Sequence, residues 1–317
     1  MKKPKALVLF SGGLDSRLTV KLLQDQNIDV ETVFFQLPFG GGCCNDFWCI
    51  MNYAQGQKVK LHVVDITKPP LFNQYLKLIE NPNHNYGTAM NPCKDCKIFM
   101  FKLAKKLAKK IGAEIIATGE VLQQRPMSQK KQDMLFIEKK AGLQGKVLRP
   151  LSAKLLPPTK YEKLNLFNKG KFLSIHGRQR IIQMNLAKKY KIKYPSPGGG
   201  CLLCEKEYEK KLKDFFKNKK PRQKTLPEEI QLLNIGRHFR KEGKIILGRN
   251  KEENQKLEFL NKILKYNILI PTTPGPTAIF QNKNDLKTTE KLMIAYSKGN
   301  EPMRKKFEKI KVCDSSV

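Results

Sequence analysis

An α/β protein built on a doubly wound parallel sheet, followed by a smaller α+β domain, is what the sequence predicts, and three observations carry that reading. First, the apolar run Ala6 to Phe10 is too short for a helix and flanked by charge, so it reads as a buried parallel strand, and it passes directly into Ser-Gly-Gly-Leu-Asp-Ser. Second, strand-like runs at 30–37 and 60–64 alternate with helix-period segments, the spacing of strand-helix-strand units in a parallel sheet. Third, the composition changes after a basic, proline-containing stretch near residue 222, which divides the chain into an expected catalytic domain, 1–222, and a second domain, 223–317.

The first element sets the chemistry. Between the strand and the helix at 16–26, whose apolar positions are Leu18, Val20, Leu22 and Leu23, a Ser-Gly-Gly turn presents backbone N–H groups with no side chain in the way. The helix N-terminus adds its partial positive charge, so the turn suits an anion of phosphate size. Asp15 and Ser16 fall in the first helical turn, the aspartate placed to hold Mg2+ and the serine to donate to a phosphate oxygen. No Gly-Lys-Ser/Thr follows at the Walker spacing.

The cysteines come next. A glycine-rich loop at 38–49 carries Cys43, Cys44 and Cys49, and the adjacent first two cannot easily share one ion; small buried or loop cysteines is the plainer reading. Asn-Pro-Cys-Lys-Asp-Cys at 91–96 puts Cys93 and Cys96 on one side of a helix's first turn, where the dipole and the nearby Lys94 and Lys97 favour thiolate. By itself this pair is equally a redox couple, half of a zinc site or part of an iron-sulfur site. Much later, an open Pro- and Gly-rich loop at 194–204 brings Cys201 and Cys204, and two C-x-x-C pairs make a four-cysteine zinc site a standing alternative.

Composition bounds the partners. The chain has 317 residues with 61 Lys plus Arg against 28 Asp plus Glu, a net charge of +33. Self-repulsion of that size favours a polyanionic partner, so nucleic acid leads, although a general lysine bias accounts for part of the excess. No apolar run approaches a membrane span, and the first residues read as strand and loop instead of a signal peptide, so the expected location is cytoplasmic and the eight cysteines are expected reduced. The loops at 120–129 and 148–159 offer Arg125 and Lys154 for phosphate, and Gly-Arg-Gln-Arg at 177–180, opening a helix, offers more. Beyond the boundary the pattern is strand, basic turn, strand at 244–248, then helix, with a rigid Pro-rich turn at 271–276.

The Ser-Gly-Gly-Leu-Asp-Ser loop resembles that of the PP-loop ATP pyrophosphatase superfamily, with its HUP-like sheet. That resemblance implies Ser11, Gly12, Gly13, Asp15 and Ser16 as the pyrophosphate cradle, with Asp15 also catalytic, and cleavage of ATP to AMP and pyrophosphate. The 91–96 segment looks like the Asn-Pro-Asp-x-x-Cys of the tRNA-uridine 2-sulfurtransferases, which implies Cys96 as a catalytic cysteine, and Gly-Cys at 200–201 resembles the segment of their second, Cys201. Ala-Thr-Gly-Glu at 117–120 is similar to a strand end near their nucleotide, implying Gly119. Cys93 stands where that family has Asp, and a C-x-x-C plus a distant cysteine resembles three-cysteine [4Fe-4S] sulfurtransferases, with Cys93, Cys96 and Cys201 as ligands and one iron left open for sulfide. Zn2+ is the alternative metal. The blocks at 117–129 and 149–159 resemble a branch of PP-loop proteins labelled tRNA thiouridylase or methyltransferase-like, and the C-terminal domain is similar to the NFACT RNA-binding domain, implying Arg237, His238, Arg240, Arg249 and Asn250 as RNA contacts.

The expected activity is therefore ATP-dependent thiolation of tRNA, with sulfide or a protein as sulfur donor. Two other classes remain: an RNA-binding protein with a structural zinc, and a PP-loop ligase that adenylates a small molecule.

Overall fold

In the computed structural model, which describes residues 3–40, 47–87, 89–196, 201–220, 224–297 and 301–313, the chain divides into two compact units, Met1–Leu202 and Leu203–Val317. Cys43 and Cys44 lie outside the described residues.

The first unit runs β1 (Lys5–Leu9), α1 (Leu14–Gln24), β2 (Asp29–Gln36), α2 (Phe47–Gly56), β3 (Lys60–Asp65), α3 (Leu71–Glu80), α4 (Cys93–Ile111), β4 (Ile115–Thr118), α5 (Lys131–Ala141), β5 (Val147–Leu148), α6 (Lys160–Lys163) and α7 (Ile181–Lys189). Its sheet has the order β3-β2-β1-β4-β5, every neighbouring pair parallel. Strand β1 takes the centre because Ala6, Leu7 and Val8 are fully buried and need apolar cover on both faces. Helix α1 covers it with Leu14, Leu18, Leu22 and Leu23, each worth about 1.5–3 kcal/mol on burial.

The strand order reverses between β1 and β4, and at such a switch point a crevice opens beyond the carboxyl ends of the strands. Leu9 pairs with Thr118, so the Ser-Gly-Gly turn after β1 and Gly119–Glu120 after β4 leave the sheet side by side. Helix α4 starts at Cys93, as the sequence predicts, and stops where Gly112 takes a left-handed conformation at φ 69.

The second unit contains α8 (Lys206–Asn218), α9 (Pro227–Leu232), β6 (Arg237–Arg240), β7 (Lys244–Leu247), α10 (Lys251–Leu264), β8 (Asn267–Leu269), β9 (Ala278–Phe280), α11 (Leu286–Ala295), α12 (Glu301–Arg304) and β10 (Lys311–Cys313). Its antiparallel sheet has the order β10-β6-β7-β9-β8. The two faces alternate along β7: Ile246 joins Leu257 and Leu260 of α10, while Ile245 and Leu247 join Leu292 of α11. The boundary falls after Leu202, where the sequence places it after residue 222. Helix α8 is the reason: Lys211 donates to the Leu233 carbonyl at 3.0 Å, and Asp214 accepts from Arg240 Nη2 at 2.8 Å, tying the helix to the second sheet.

Candidate functional site

The turn after β1 is shaped by two close approaches. Gly12 sits at φ +78, and a Cβ there would stand 2.7 Å from Ile50 Cγ1. A Cβ on Gly119 would stand 2.7 Å from both the Asp15 carbonyl carbon and the Ser16 nitrogen, so β4 can end flush against the first turn of α1 only as glycine. Helix α1 has Gly13 at its N-cap with no side chain capping it. Its first amides therefore face the crevice without a capping side chain, which is the arrangement a phosphate uses. Ser16 Oγ donates to the Gly13 carbonyl at 2.9 Å, and Ser11 Oγ lies 3.4 Å from Ser16 Oγ.

Arg17 was not legible as part of this site. It is 4% exposed, and it donates to the Gly12 carbonyl at 2.6 Å, the Lys193 carbonyl at 2.7 Å and Cys49 Sγ at 3.0 Å, with its guanidinium 4.5 Å from the Tyr53 ring centre. It braces the turn from behind. An arginine following Leu-Asp-Ser within an otherwise apolar helix face is the signal that marks it.

Asp15 is largely enclosed. Burial pushes its carboxyl up, opposed by a hydrogen bond from Gln124 and by the nearby Arg180, Gln183 and Arg125. Gln124 Nε2 donates to Oδ2 at 3.0 Å, while Oδ1 is buried with no hydrogen-bond partner. A buried carboxylate oxygen without a partner fits a Mg2+ ligand. Lys154 is exposed.

The three cysteines predicted as ligands are tied to one neighbourhood: Cys96 contacts Tyr75, Cys201 contacts Phe39, whose ring packs on Tyr75, and Cys93 opens the same first turn of α4 as Cys96. Tyr75, fully buried, hydrogen-bonds Cys96 Sγ at 3.0 Å, and burial raises its hydroxyl well above the ordinary range, with Cys96, Cys201 and Cys93 pushing it further in the same direction. Cys201 is held there by Phe39: its thiol lies 3.4 Å from the Phe39 carbonyl, which also accepts from the Leu202 amide, and the Phe39 and Tyr75 rings pack at 6.2 Å. Neither Tyr75 nor Phe39 was singled out by the sequence. Cys204 belongs to the second unit. Among the described residues, no three His, Cys, Asp or Glu side chains close around a single metal ion. A four-iron cube, in which each thiolate binds a different iron, spreads its ligands more widely than one ion does. Three thiolates are the donor set such a cube takes when one iron is left open.

The lysines expected to favour thiolate are committed elsewhere. Lys94 pairs with Asp133 at 2.8 Å and Lys97 with Glu120. Glu120 is buried, which opposes its ionisation, yet Lys97 and Arg149 hold it down to about 2, and Arg149 also binds Glu138. This chain of charges fixes α4, and with it Cys93 and Cys96, to the end of β4. Asp95, buried between the two cysteines in sequence, accepts from the His84 amide at 2.9 Å and pairs with the His84 ring at 2.8 Å.

The predicted RNA contacts divide. His238 has to be withdrawn: it is fully buried in β6, hydrogen-bonded to the Ile235 carbonyl at 2.8 Å, and burial with Lys244 and Lys211 nearby keeps it neutral. Asn250 caps α10, accepting from the Glu253 amide at 2.9 Å, and Arg249 grips Glu253, so Gly-Arg-Asn is first a helix-start device. Arg240 is engaged with Asp214, and Arg237 stacks 5.0 Å from the Tyr296 ring centre.

Comparison with known proteins finds one family match within each unit. Residues 2–154 match the family model "Thiamine biosynthesis protein (ThiI)", and residues 236–314 match "NFACT protein RNA binding domain". A probable tRNA sulfurtransferase of Thermoanaerobacter sp. is 29% identical over 151 residues, 46% of this chain and 36% of that protein. The tRNA-specific 2-thiouridylase MnmA of Sulfurimonas denitrificans is 29% identical over 126 residues, 38% of this chain and 35% of that one. The chain thus spans little more than a third of the length of these curated relatives. A solved 4-thiouridine synthetase in complex with RNA and ATP aligns with a TM-score of 0.42 at 17% identity, over 88% of this chain and 55% of that one. The chain joins a ThiI-type PP-loop domain to an NFACT-type RNA-binding domain.

Proposed function

We propose that the protein is an ATP-dependent tRNA sulfurtransferase. The observation that carries this reading is that Cys96 and Cys201, distant in sequence, contact the packed Tyr75 and Phe39 pair, with Cys93 in the same helix turn as Cys96, all in the same unit as the PP-loop. The relatives' sulfur-transferring names agree with it.

In this reading ATP lies with its phosphates on the Ser11–Ser16 turn, and Asp15 holds Mg2+. A carbonyl oxygen of a tRNA base attacks the α-phosphorus, the bond to the bridging oxygen breaks, and pyrophosphate leaves. The reason for adenylation is chemical: a carbonyl oxygen is a poor leaving group and AMP is a good one. A sulfide sulfur then attacks the activated carbon, AMP departs with the former carbonyl oxygen, and the base carries C=S. No electrons are exchanged. A [4Fe-4S] cluster on Cys93, Cys96 and Cys201 would supply an open iron position for that sulfide. The chain's own residues do the rest: Tyr75 orients Cys96, Phe39 fixes Cys201, and the Lys97–Glu120–Arg149 chain locks the cysteine helix beside the nucleotide strand. The basic second unit, whose family binds RNA, would deliver the tRNA.

Mass spectrometry of tRNA nucleosides from cells with and without the gene tests the proposal. Loss of one thiolated nucleoside is the expected result, and an unchanged nucleoside profile opposes it.

A further inference from the structure

The helix that begins at Ile181 lies outside the region matched by the ThiI model, yet its start is bound to the nucleotide crevice. His176 forms an isolated parallel bridge with Leu122, and the Gly177 amide donates to the Leu122 carbonyl at 2.8 Å, Gly177 itself at φ +81. That bridge sets the Gly-Arg-Gln-Arg segment against the loop that carries Gln124 and Arg125. From there Arg180 and Arg125 both act on the Asp15 carboxylate through space, with no direct hydrogen bond to it.

Gln183 is the telling residue. It is 0% exposed, and neither its amide nitrogen nor its amide oxygen completes a hydrogen bond of ordinary geometry, although it stands close enough to Asp15 to favour the anion. A buried amide left in that state is destabilising, a cost a bound ligand removes. Next to it, Asp15 Oδ1 is likewise buried and unpartnered. Two guanidiniums, an amide with both functions open and a carboxylate open for a cation match a polyphosphate carrying its divalent ion.

We propose that Arg180 and Gln183, with Arg125, form a second wall of the nucleotide site that holds the polyphosphate of a nucleoside triphosphate opposite the Ser-Gly-Gly turn. The proposal rests on the PP-loop reading of that turn and adds a wall from α7. The guanidinium of Arg180 grips a phosphate oxygen, and the Gln183 amide donates to another. The carboxylate of Asp15, facing the same space, would hold the divalent ion that accompanies the phosphates.

Calorimetric titration of the full chain with Mg-ATP, pyrophosphate and AMP tests it, on wild type, Asp15→Ala, Arg180→Ala, Arg180→Lys and Gln183→Ala. Removing a charge-assisted hydrogen bond to phosphate weakens binding about tenfold to a hundredfold. Arg180→Ala should show that weakening for ATP and pyrophosphate while AMP binds as before, and Arg180→Lys should recover only part, because a single ammonium cannot reproduce the guanidinium fork. Gln183→Ala should fall between. If Arg180→Ala and Gln183→Ala bind ATP within twofold of wild type while Asp15→Ala does not, the second wall is wrong and the PP-loop reading stands. Parallel loss of AMP would mean the variants disturb the fold, and loss of tRNA affinity with ATP affinity intact would assign the arginines to RNA; either result overturns the proposal. A wild type that binds no ATP would remove both readings together.

Discussion

Replacing Gly119 by alanine adds one methyl group at the point where β4 meets the first turn of α1. The added Cβ would lie 2.7 Å from the Asp15 carbonyl carbon and the Ser16 nitrogen and 2.8 Å from the Asp15 carbonyl oxygen. All three are backbone atoms, so no side-chain rotation relieves the contact. Moving them out to ordinary contact near 3.4 Å displaces the first turn of α1 by roughly 0.7 Å, and overpacking on that scale costs about 1–3 kcal/mol. In a unit of this size that lowers Tm by about 2–12 °C. The same displacement carries Asp15 and Ser16 away from the phosphate position, where misplacement by about 1 Å costs on the order of a hundredfold. Thermal unfolding and ATP-dependent pyrophosphate release, measured on the same preparation at a temperature where both proteins are folded, separate the two effects. Gly119→Ala with wild-type Tm and wild-type pyrophosphate release would refute the close packing of β4 against α1 and Gly119's place in the cradle.

Three other outcomes follow from named residues. Protein purified without oxygen should carry iron that Cys93→Ser removes and Cys204→Ser leaves in place; one zinc released by every single cysteine substitution, with iron never found, would make the site structural. Truncation after Leu202 should weaken RNA binding and flatten its salt dependence, the slope of log K against log salt falling by about 0.7 to 0.9 for each phosphate no longer neutralised, and an unchanged slope would assign the second unit another task. Glu120 is held down to about 2 from 4.5 in the folded chain, so its contribution to stability is fully present above pH 4.5 and fades as the pH falls toward about 2. The stability gap between wild type and Glu120→Gln should be widest near neutrality and close through that acid window, and a gap independent of pH would contradict the Lys97–Glu120–Arg149 linkage.

The parts of this molecule that were legible in sequence are those whose signal is local. A strand, a turn needing small residues and a helix start are written in consecutive residues, so the Phe10–Ser16 turn and the cysteine pair opening α4 can be placed from the chain alone. Tyr75 and Phe39 carry no such signal: an aromatic in an amphipathic helix, or one in a loop, looks like any core residue until folding brings Cys96 to the first and Cys201 to the second. Gln183 was hidden for the same reason, a polar residue near a helix start that is ordinarily solvated. His238 stands apart from its basic neighbours because β6 is covered on both faces at its centre, so in Arg-His-Phe-Arg the two middle residues are buried and the arginines half-exposed. The segment 206–224 reads as a basic helix and linker, yet Tyr208, Leu212 and Phe215 fall on one stripe at helical spacing, and that stripe, more than its lysines, decides where the helix packs.

Exchange of a base oxygen of tRNA for sulfur at the expense of ATP is the activity proposed for this chain. The most direct measurement incubates the anaerobically purified chain with unmodified tRNA, Mg-ATP and sulfide, then follows pyrophosphate release alongside mass spectrometry of the digested nucleosides. One nucleoside in which a single oxygen is replaced by sulfur should form together with AMP and pyrophosphate, and none should form when ATP is omitted. Pyrophosphate release that proceeds without tRNA and leaves every nucleoside unchanged would contradict that activity.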